Sequence, residues 1–347
     1  MSKKISICTL GCRVNAYESL AIADSARALG LEVVEWGERA DFAVVNSCAL
    51  TVLAQAKTRR EIRVFARANP YSPIAVTGCY AQTSPAEAAK LPNVLVVAGN
   101  SKKADVVGML LSADSAKVDV SPAGGWRGKP MSLSAEWFID ERVSLKIQDG
   151  CDNCCTYCAI PKIRGRFRSR RMEDIVEETK LLAKDGVKEI VIIAQDVTRY
   201  GLDLYNKLAL PELLDKLCEI EGLKWIRLLY CYPERVTDEL IDCIKRQDKI
   251  VKYLDIPMQH CSDEILKRMN RKTTGAELRA LVAKLRREIP GITLRTTFIT
   301  GFPGETEEQF NELGEFAEEM GACAIIRGVR NTTDFEYERT MEATNHR

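Results

Sequence analysis

Short apolar, β-branched runs alternate with amphipathic stretches along most of the chain, the rhythm of parallel α/β architecture. In the first third the strand-like runs are Ile5–Leu10, Leu31–Trp36, Phe42–Asn46, Ile74–Thr77 and Val94–Ala98. Helical periodicity fills gaps between them, over Ala16–Leu29 and Val52–Ala68. Strands packed this densely predict an open, doubly wound parallel sheet in residues 1–112. Periodicity then lapses in a stretch holding Ser-Pro-Ala-Gly-Gly and Gly-Lys-Pro, which predicts a linker over 113–141. The rhythm restarts with Val143–Gln148, Glu189–Ala194, Trp225–Tyr230, Tyr253–Ile256 and Leu294–Thr300, and with helical patterns such as Met172–Asp185 and Ala276–Glu288. With a sixth strand expected at Ala324–Ile326, the pattern from residue 142 through 320 and into the tail predicts a full or partial β/α (TIM-like) barrel. In such barrels chemistry gathers where strands end and loops begin.

Composition narrows the class. A chain of 347 residues, 46% hydrophobic and 29% charged, is an ordinary globular protein of two or more domains. Fifty Lys and Arg against forty-nine Asp and Glu exclude a polycationic nucleic-acid coat, while leaving room for a local basic groove. No apolar run approaches the ~20 residues of a membrane span, and the N-terminus lacks a signal-peptide pattern, so a cytoplasmic protein is expected. Thirteen cysteines in such a compartment point to metal or redox chemistry rather than to disulfides. Two histidines, His260 and His346, are too few for a His-rich zinc or non-haem iron site.

The cysteines are not scattered at random. Cys151, Cys155 and Cys158 form C-x3-C-x2-C directly after the strand-like run Val143–Gln148. Three thiolates on one loop suit three corners of a 4Fe–4S cubane, leaving the fourth iron open to a small molecule. Zinc is the alternative; it ordinarily takes four ligands in two separated pairs. Cys154, adjacent to Cys155, is read as a bystander. In the first domain Cys12, Cys48 and Cys79 each follow an apolar strand. Parallel strands present their carboxyl ends on one sheet edge, so these three thiols are candidates to share a second cluster. The alternative is three small buried core cysteines. Cys8 is read as core, and Cys218, Cys231, Cys243, Cys261 and Cys323 carry no ligand spacing.

C-x3-C-x2-C after a strand, with Tyr157 before the last cysteine, resembles the radical S-adenosylmethionine enzymes. The resemblance implies that the open iron chelates S-adenosylmethionine and that one electron cleaves it to a radical that abstracts hydrogen. Two three-cysteine sets in this domain order resemble the methylthiotransferases over about residues 1–320. That likeness implies two 4Fe–4S clusters, S-adenosylmethionine as both methyl donor and radical source, and an electron donor such as flavodoxin or ferredoxin. Residues 150–165, 194–205, 230–237 and 255–272 resemble the branch that modifies an aspartate of a small-subunit ribosomal protein. Residues 11–18 (GCRVNAYE) and 46–60 instead resemble the branch acting on an adenosine beside a tRNA anticodon. The barrel, which must hold the hydrogen that is abstracted, favours the ribosomal-protein substrate and leaves tRNA as the alternative. A non-catalytic iron–sulfur protein or an inactive truncated product are the readings outside this class.

Other positions take their roles from this frame. Gln195, Asp196 and Arg295 lie at or near strand ends as candidate polar contacts to the cofactor, and Gly301, in GFPGE, as a place where backbone approaches a nucleoside. Ordinary structural hydrogen bonding is the competing role for each. Lys162–Arg171 has six basic residues in ten, suiting a phosphate backbone, an acidic loop or simply internal carboxylates. His260 is read as a satisfied buried histidine. Beyond Met320 the likeness stops, and 324–345 resembles an internal piece of phosphopantetheine adenylyltransferase that lacks its nucleotide-binding strand and His-containing phosphate motif. The atypical tail 321–347 is therefore expected to stand where the sixth barrel unit and a TRAM-type β-barrel would follow, as after a gene fusion, frameshift or assembly error.

Overall fold

The apolar runs of the first third become one parallel sheet. A computed structural model describes residues 2–122, 131, 133 and 141–326. Among them the first sheet comprises β1 (Lys4–Thr9), β2 (Glu32–Val34), β3 (Phe42–Ser47), β4 (Ile74–Gly78), β5 (Val94–Ala98) and β6 (Lys117–Asp119). Its order is β2-β1-β3-β4-β5-β6, with every pair parallel. The chain thus winds outward in both directions from β1, and the reversal lies between β1 and β3. Strand β4 is buried along its whole length, as a central parallel strand covered on both faces should be. Strand β6 falls inside the stretch read as linker from residue 113; Lys117 and Val118 are exposed on the sheet edge, so no apolar alternation betrays it.

The second sheet is built from β7 (Arg142–Lys146), β10 (Glu189–Ile193), β11 (Trp225–Leu228), β12 (Ile250–Asp255) and β13 (Thr293–Arg295), with a short antiparallel pair, β8 (Gln148–Asp149) and β9 (Arg168–Ser169), beside it. The order β13-β12-β11-β10-β7 follows the chain monotonically and all pairs are parallel, which makes it a partial β/α barrel. The helices between start where the sequence supplies caps. Thr237 accepts from the Leu240 N–H at 3.3 Å before the helix Asp238–Arg246, and Thr274 forms a capping box with Glu277 before the helix Gly275–Glu288.

These two sheets belong to one unit, Met1–Ile299, and Thr300–Arg347 forms another. In the second unit the helix Glu307–Glu319 begins with a capping box between Thr306 and Gln309. The strand expected at Ala324–Ile326 is not there: these residues have no regular secondary structure, and Ile325 and Ile326 are 87% and 95% exposed. Three apolar residues in a row are too weak a signal without a neighbouring strand to bury them. The remainder of the tail and most of the linker lie outside the described residues. No helix among the described residues is long and apolar enough to cross a membrane.

One helix, Arg13–Ala28, serves both sheets. Its Val14, Tyr17 and Ala21 pack into the barrel core with Val143, Leu145 and Ile147. Its Ile22 and Ala26 pack with Ile5 and Val44 of the first sheet. Between these stripes Glu18 is almost fully buried and receives three cations: Lys103 at 2.5 Å, Lys146 at 2.7 Å and Arg164 at 2.9 Å. Lys146 and Arg164 also reach Asp149, at 3.3 and 2.9 Å. Burial alone would raise the Glu18 carboxyl, but Arg164, Lys103 and Lys146 outweigh it and hold the group well below the usual carboxylate range. Asp149 is brought to about 2 by the same balance, burial against Arg164 and Lys146. Removing one partner of a buried pair leaves an uncompensated charge and costs about 3–5 kcal/mol.

Replacing Glu18 by Leu is therefore expected to lower the urea unfolding free energy by about 3–5 kcal/mol, unless both sheets unfold independently of it, in which case the midpoint stays put. Because both carboxyls titrate lower folded than unfolded, their stabilisation is complete above the ordinary values of 4.5 and 3.8 and drains away as pH falls toward about 2. Melting temperatures recorded from pH 6 down to 2 should fall most steeply below pH 4.5 in the natural chain, and less steeply in the Glu18→Leu variant.

Candidate functional site

The carboxyl ends of the barrel strands carry the chemistry. After β7 and β8 the chain turns at Gly150, where φ is +81° and a Cβ would lie 2.2 Å from the Arg166 carbonyl oxygen, so only glycine fits. Cys151 follows, its N–H bonded to the Gly165 carbonyl at 3.1 Å, and the Cys158 N–H closes onto the Cys155 carbonyl at 2.9 Å. Burial pushes the Cys151 thiol up to about 11; the Asn153 N–H opposes this, while Cys155 and Cys158 add to it. Cys158 is likewise raised by burial and by Cys155. The three sulfurs therefore sense one another. Cys154 has a left-handed φ of +52° and an exposed side chain. Its carbonyl accepts from Asn270 at 3.0 Å, so it anchors the loop through its backbone.

Around Cys155 stand two phenols and a cation. The Tyr232 hydroxyl lies 3.8 Å from the Cys155 sulfur, and the Arg271 guanidinium stacks 3.9 Å over the Tyr232 ring. Tyr157 is 39% exposed; burial is the main cause raising its hydroxyl, with the Cys155 charge second. Tyr232 and Arg271 both lie in segments that carry the family likeness, 230–237 and 255–272, but the sequence gives neither of them an individual role.

The strand-end polar residues divide. Gln195, after β10, has its Oε1 buried without a partner among the described residues, an acceptor left for something else to fill. Asp196 is committed: it accepts from Thr198 at 2.6 Å, Arg235 at 2.8 Å and Asn153 at 2.9 Å. Since Asn153 lies between Cys151 and Cys155, Asp196 ties the thiol loop to the barrel. At the end of β12, Asp255 is buried, and its Oδ1 has no hydrogen-bond partner among the described residues; Arg295, exposed at the end of β13, is 3.9 Å away. Burial raises the Asp255 carboxyl against the pull of Arg295 and Arg13. Asp255 is a second strand-end acceptor, ion-paired with Arg295 and bonded by the Tyr230 N–H, to which the sequence gives no individual role. In the other unit, Gly301 has φ +70° with open space where a Cβ would stand, and Phe302 to Glu305 closes as a turn through two 2.8 Å bonds.

The basic run Lys162–Arg171 divides between internal partners and the surface, where Lys162, Arg166 and Arg171 are exposed. Arg164 is buried on Glu18 and Asp149, Arg170 on Glu178 and Tyr17, and Arg166 sits 3.5 Å from Asp152. His260 is fully buried and its Nδ1 accepts from the Ser262 N–H at 3.0 Å, as the sequence suggests.

At the first sheet, Cys12 and Cys48 follow β1 and β3, the two strands that flank the winding reversal, and Cys79 follows the neighbouring β4. A ligand crevice belongs at that place in an open parallel sheet. A Cβ on Gly11 would come within 3.2 Å of the Cys48 sulfur, which places Cys48 against the turn that delivers Cys12. Gly78, at φ +89°, leaves no room for a Cβ, which would lie 2.5 Å from the Ser47 carbonyl. Burial pushes the Cys79 thiol up; Arg164 and Lys103 pull it back, and Cys12 raises it further. Cys12 also acts on Tyr230, at the end of β11, and Arg13 acts on Tyr230 and Asp255.

No three Cys, His, Asp or Glu side chains among the described residues converge tightly enough for one metal ion. A tetrahedral zinc demands that convergence on a single point. A four-iron cubane spreads its thiolates over separate corners, and two sets of three thiols at strand ends suit it better.

Residues 145–317 match the Radical SAM superfamily, and residues 4–99 match a family described only as uncharacterized protein family UPF0004. The radical S-adenosylmethionine methyltransferase TsrM of Kitasatospora setae is similar in fold, with a TM-score of 0.65 at 16% identity over 92% of this chain and 72% of that one. The chain is a radical S-adenosylmethionine enzyme of the methylthiotransferase class, using that cofactor and two 4Fe–4S clusters. It is 43% identical to the ribosomal protein uS12 methylthiotransferase RimO of Lachnoclostridium phytofermentans, covering 91% of this chain and 73% of that one. The RimO of Pelotomaculum thermopropionicum is 43% identical over 92% of this chain and 73% of its own length. The chain belongs to the RimO family of ribosomal protein uS12 methylthiotransferases.

Asp196 generates a prediction that needs no cofactor. Replacing it by Ala removes its bond to Asn153 of the loop together with those to Thr198 and Arg235, each charge-assisted bond being worth about 1.5–3 kcal/mol. Alkylation of the buried Cys151 in iron-free protein should then accelerate on the order of tenfold or more. An unchanged rate would show that the loop is held by its backbone bonds alone.

Proposed function

We propose that this chain inserts a methylthio group at a C–H bond of an aspartate side chain in ribosomal protein uS12, with Cys151, Cys155 and Cys158 holding the radical cluster and Cys12, Cys48 and Cys79 the auxiliary one. The observation that carries the reading is that Cys12, Cys48 and Cys79 stand at the carboxyl ends of adjacent parallel strands, while Arg164, six residues beyond Cys158, reaches Asn15 beside them. A sulfur-bearing site must stand near the carbon that loses hydrogen, and that bond ties the two cysteine-bearing segments together. When bound, the clusters and S-adenosylmethionine supply hydrogen abstraction, the sulfur and the methyl group.

The chain's own residues bind and orient. Gln195 Oε1, without a hydrogen-bond partner among the described residues, and Asp255 Oδ1, facing Arg295 at 3.9 Å, are acceptors suited to the ammonium and hydroxyl groups of S-adenosylmethionine, and Arg295 is suited to its carboxylate. Tyr232 places its hydroxyl beside the Cys155 sulfur, and Arg271 stacks on the Tyr232 ring and fixes it there. Gly301 is the further cofactor position that the family likeness implies. The electron comes from a donor of the flavodoxin or ferredoxin class.

Anaerobic reconstitution should load about eight irons per chain, and Cys158→Ala about four. That variant is expected to yield no 5′-deoxyadenosine and no product, and full iron with full activity would dismiss the assignment. Incubation with uS12 and, separately, with an anticodon stem-loop RNA decides the substrate by mass spectrometry. Methylthiolated uS12 is the expected product; modified RNA with untouched uS12 would transfer the reading to tRNA.

A further inference from the structure

We propose that Arg164 is a positioning residue for the auxiliary thiol site, holding the strand ends that carry Cys12, Cys48 and Cys79 in register with the barrel through its bond to Asn15. The inference rests on the reading of those three cysteines as one site. Arg164 lies six residues beyond Cys158, at the end of the short helix Ile160–Arg164, yet its guanidinium is buried in the other domain. One arm donates to Glu18 Oε1 and Asp149 Oδ1, each at 2.9 Å. The other donates to Asn15 Oδ1 at 2.7 Å and to Glu18 Oε2 at 3.2 Å.

Asn15 passes the constraint on. Its amide donates to the Leu10 carbonyl at 2.8 Å, two residues before Cys12, and to the Ser47 carbonyl at 3.0 Å, one residue before Cys48. Ser47 then binds the third strand end: its hydroxyl donates to the Thr77 carbonyl and accepts from the N–H groups of Tyr80 and Ala81 at 3.2 and 3.3 Å, next to Cys79. The backbone groups in this chain of bonds lie within two residues of the three cysteines, which follow three different strands. All the side chains in it are buried. Because the amide of Asn15 is fully used on the two carbonyls, its oxygen needs a donor, and Arg164 is that donor.

A guanidinium fits where an ammonium does not. The planar fork reaches Asn15 and Glu18 with one arm and Glu18 and Asp149 with the other, a pattern a single Lys nitrogen cannot reproduce. Glu18 already holds two lysines, Lys103 and Lys146, so the distinct contribution of Arg164 is geometric. The loop that carries the radical-site cysteines thereby fixes the crevice that carries the other three.

The test uses the full chain with Cys151, Cys155 and Cys158 replaced by Ala, so that only the first crevice takes iron, about four per chain. Adding Arg164→Met should reduce that iron to less than half and alter the EPR spectrum of the reduced cluster. Arg164→Lys should show the same spectral change, whereas full rescue by Lys would reduce the role to charge and overturn the proposal. Asn15→Leu, which leaves the Glu18 ion pairs in place, is expected to reproduce the altered spectrum with a folded circular dichroism signature. Iron and spectrum identical to the parent in Arg164→Met would also overturn it. Should the parent itself take no iron, the ligand assignment fails rather than this inference, which is then read from alkylation of iron-free protein. There Cys48 and Cys79 should react about tenfold faster in Arg164→Met than in the parent, and equal rates would refute the role.

Discussion

A single carboxylate carries the junction of this molecule. Glu18 is nearly without solvent contact and answers three cations that come from three separate stretches of chain, at Lys103, Lys146 and Arg164. Ions taken out of water cost several kcal/mol each, so such a cluster persists only when geometry and hydrogen bonding are complete. Here they are: Asp149 balances a second charge, and Asn15 accepts the remaining guanidinium arm. The apolar faces of the helix Arg13–Ala28 would allow the sheets to slide over one another; the ion cluster at its centre admits one register.

That register matters because each sheet presents its reactive groups at the carboxyl ends of its strands. In the first sheet the thiols flank the winding reversal. In the barrel they follow β7 and β8, while acceptors stand at the ends of β10 and β12. Neither edge alone brings sulfur, cofactor and substrate carbon together. The transfer of a sulfur-containing group to a carbon of a protein side chain requires both edges to open on one space, and the register set at Glu18 governs how they face. The charges used to join the sheets also pull on Cys79, so the same residues shape both the junction and the site.

Much of this is legible in the linear pattern. Parallel strands covered on both faces read as unbroken apolar runs, and the cysteines at their ends stand out because a strand followed by Gly-Cys or Ser-Cys is a recognisable local event. The C-x3-C-x2-C spacing is local too. What escapes is non-local or featureless. Glu18 and its partners are separated by 85 to 146 residues, and nothing in helical periodicity marks a glutamate destined for the interior. Arg164 and Arg170 look like members of a basic surface run, because composition does not distinguish a solvated arginine from one meeting a buried carboxylate. Asp196 reads as a cofactor contact from its place after a strand; its three internal partners, two of them distant in sequence, are invisible there. Strand β6 is too short and too exposed to show, and Ala324–Ile326 is apolar without a neighbour to pair with.

The central claim, that the two sheets are one mechanical body locked through Glu18, is tested most directly by native-state hydrogen exchange followed peptide by peptide. Amides of β3 and β4 and of β7 and β10 should exchange through openings of equal free energy, because neither sheet can open while the shared helix remains docked. Two well-separated opening energies, with one sheet exchanging freely while the other stays protected, would contradict it.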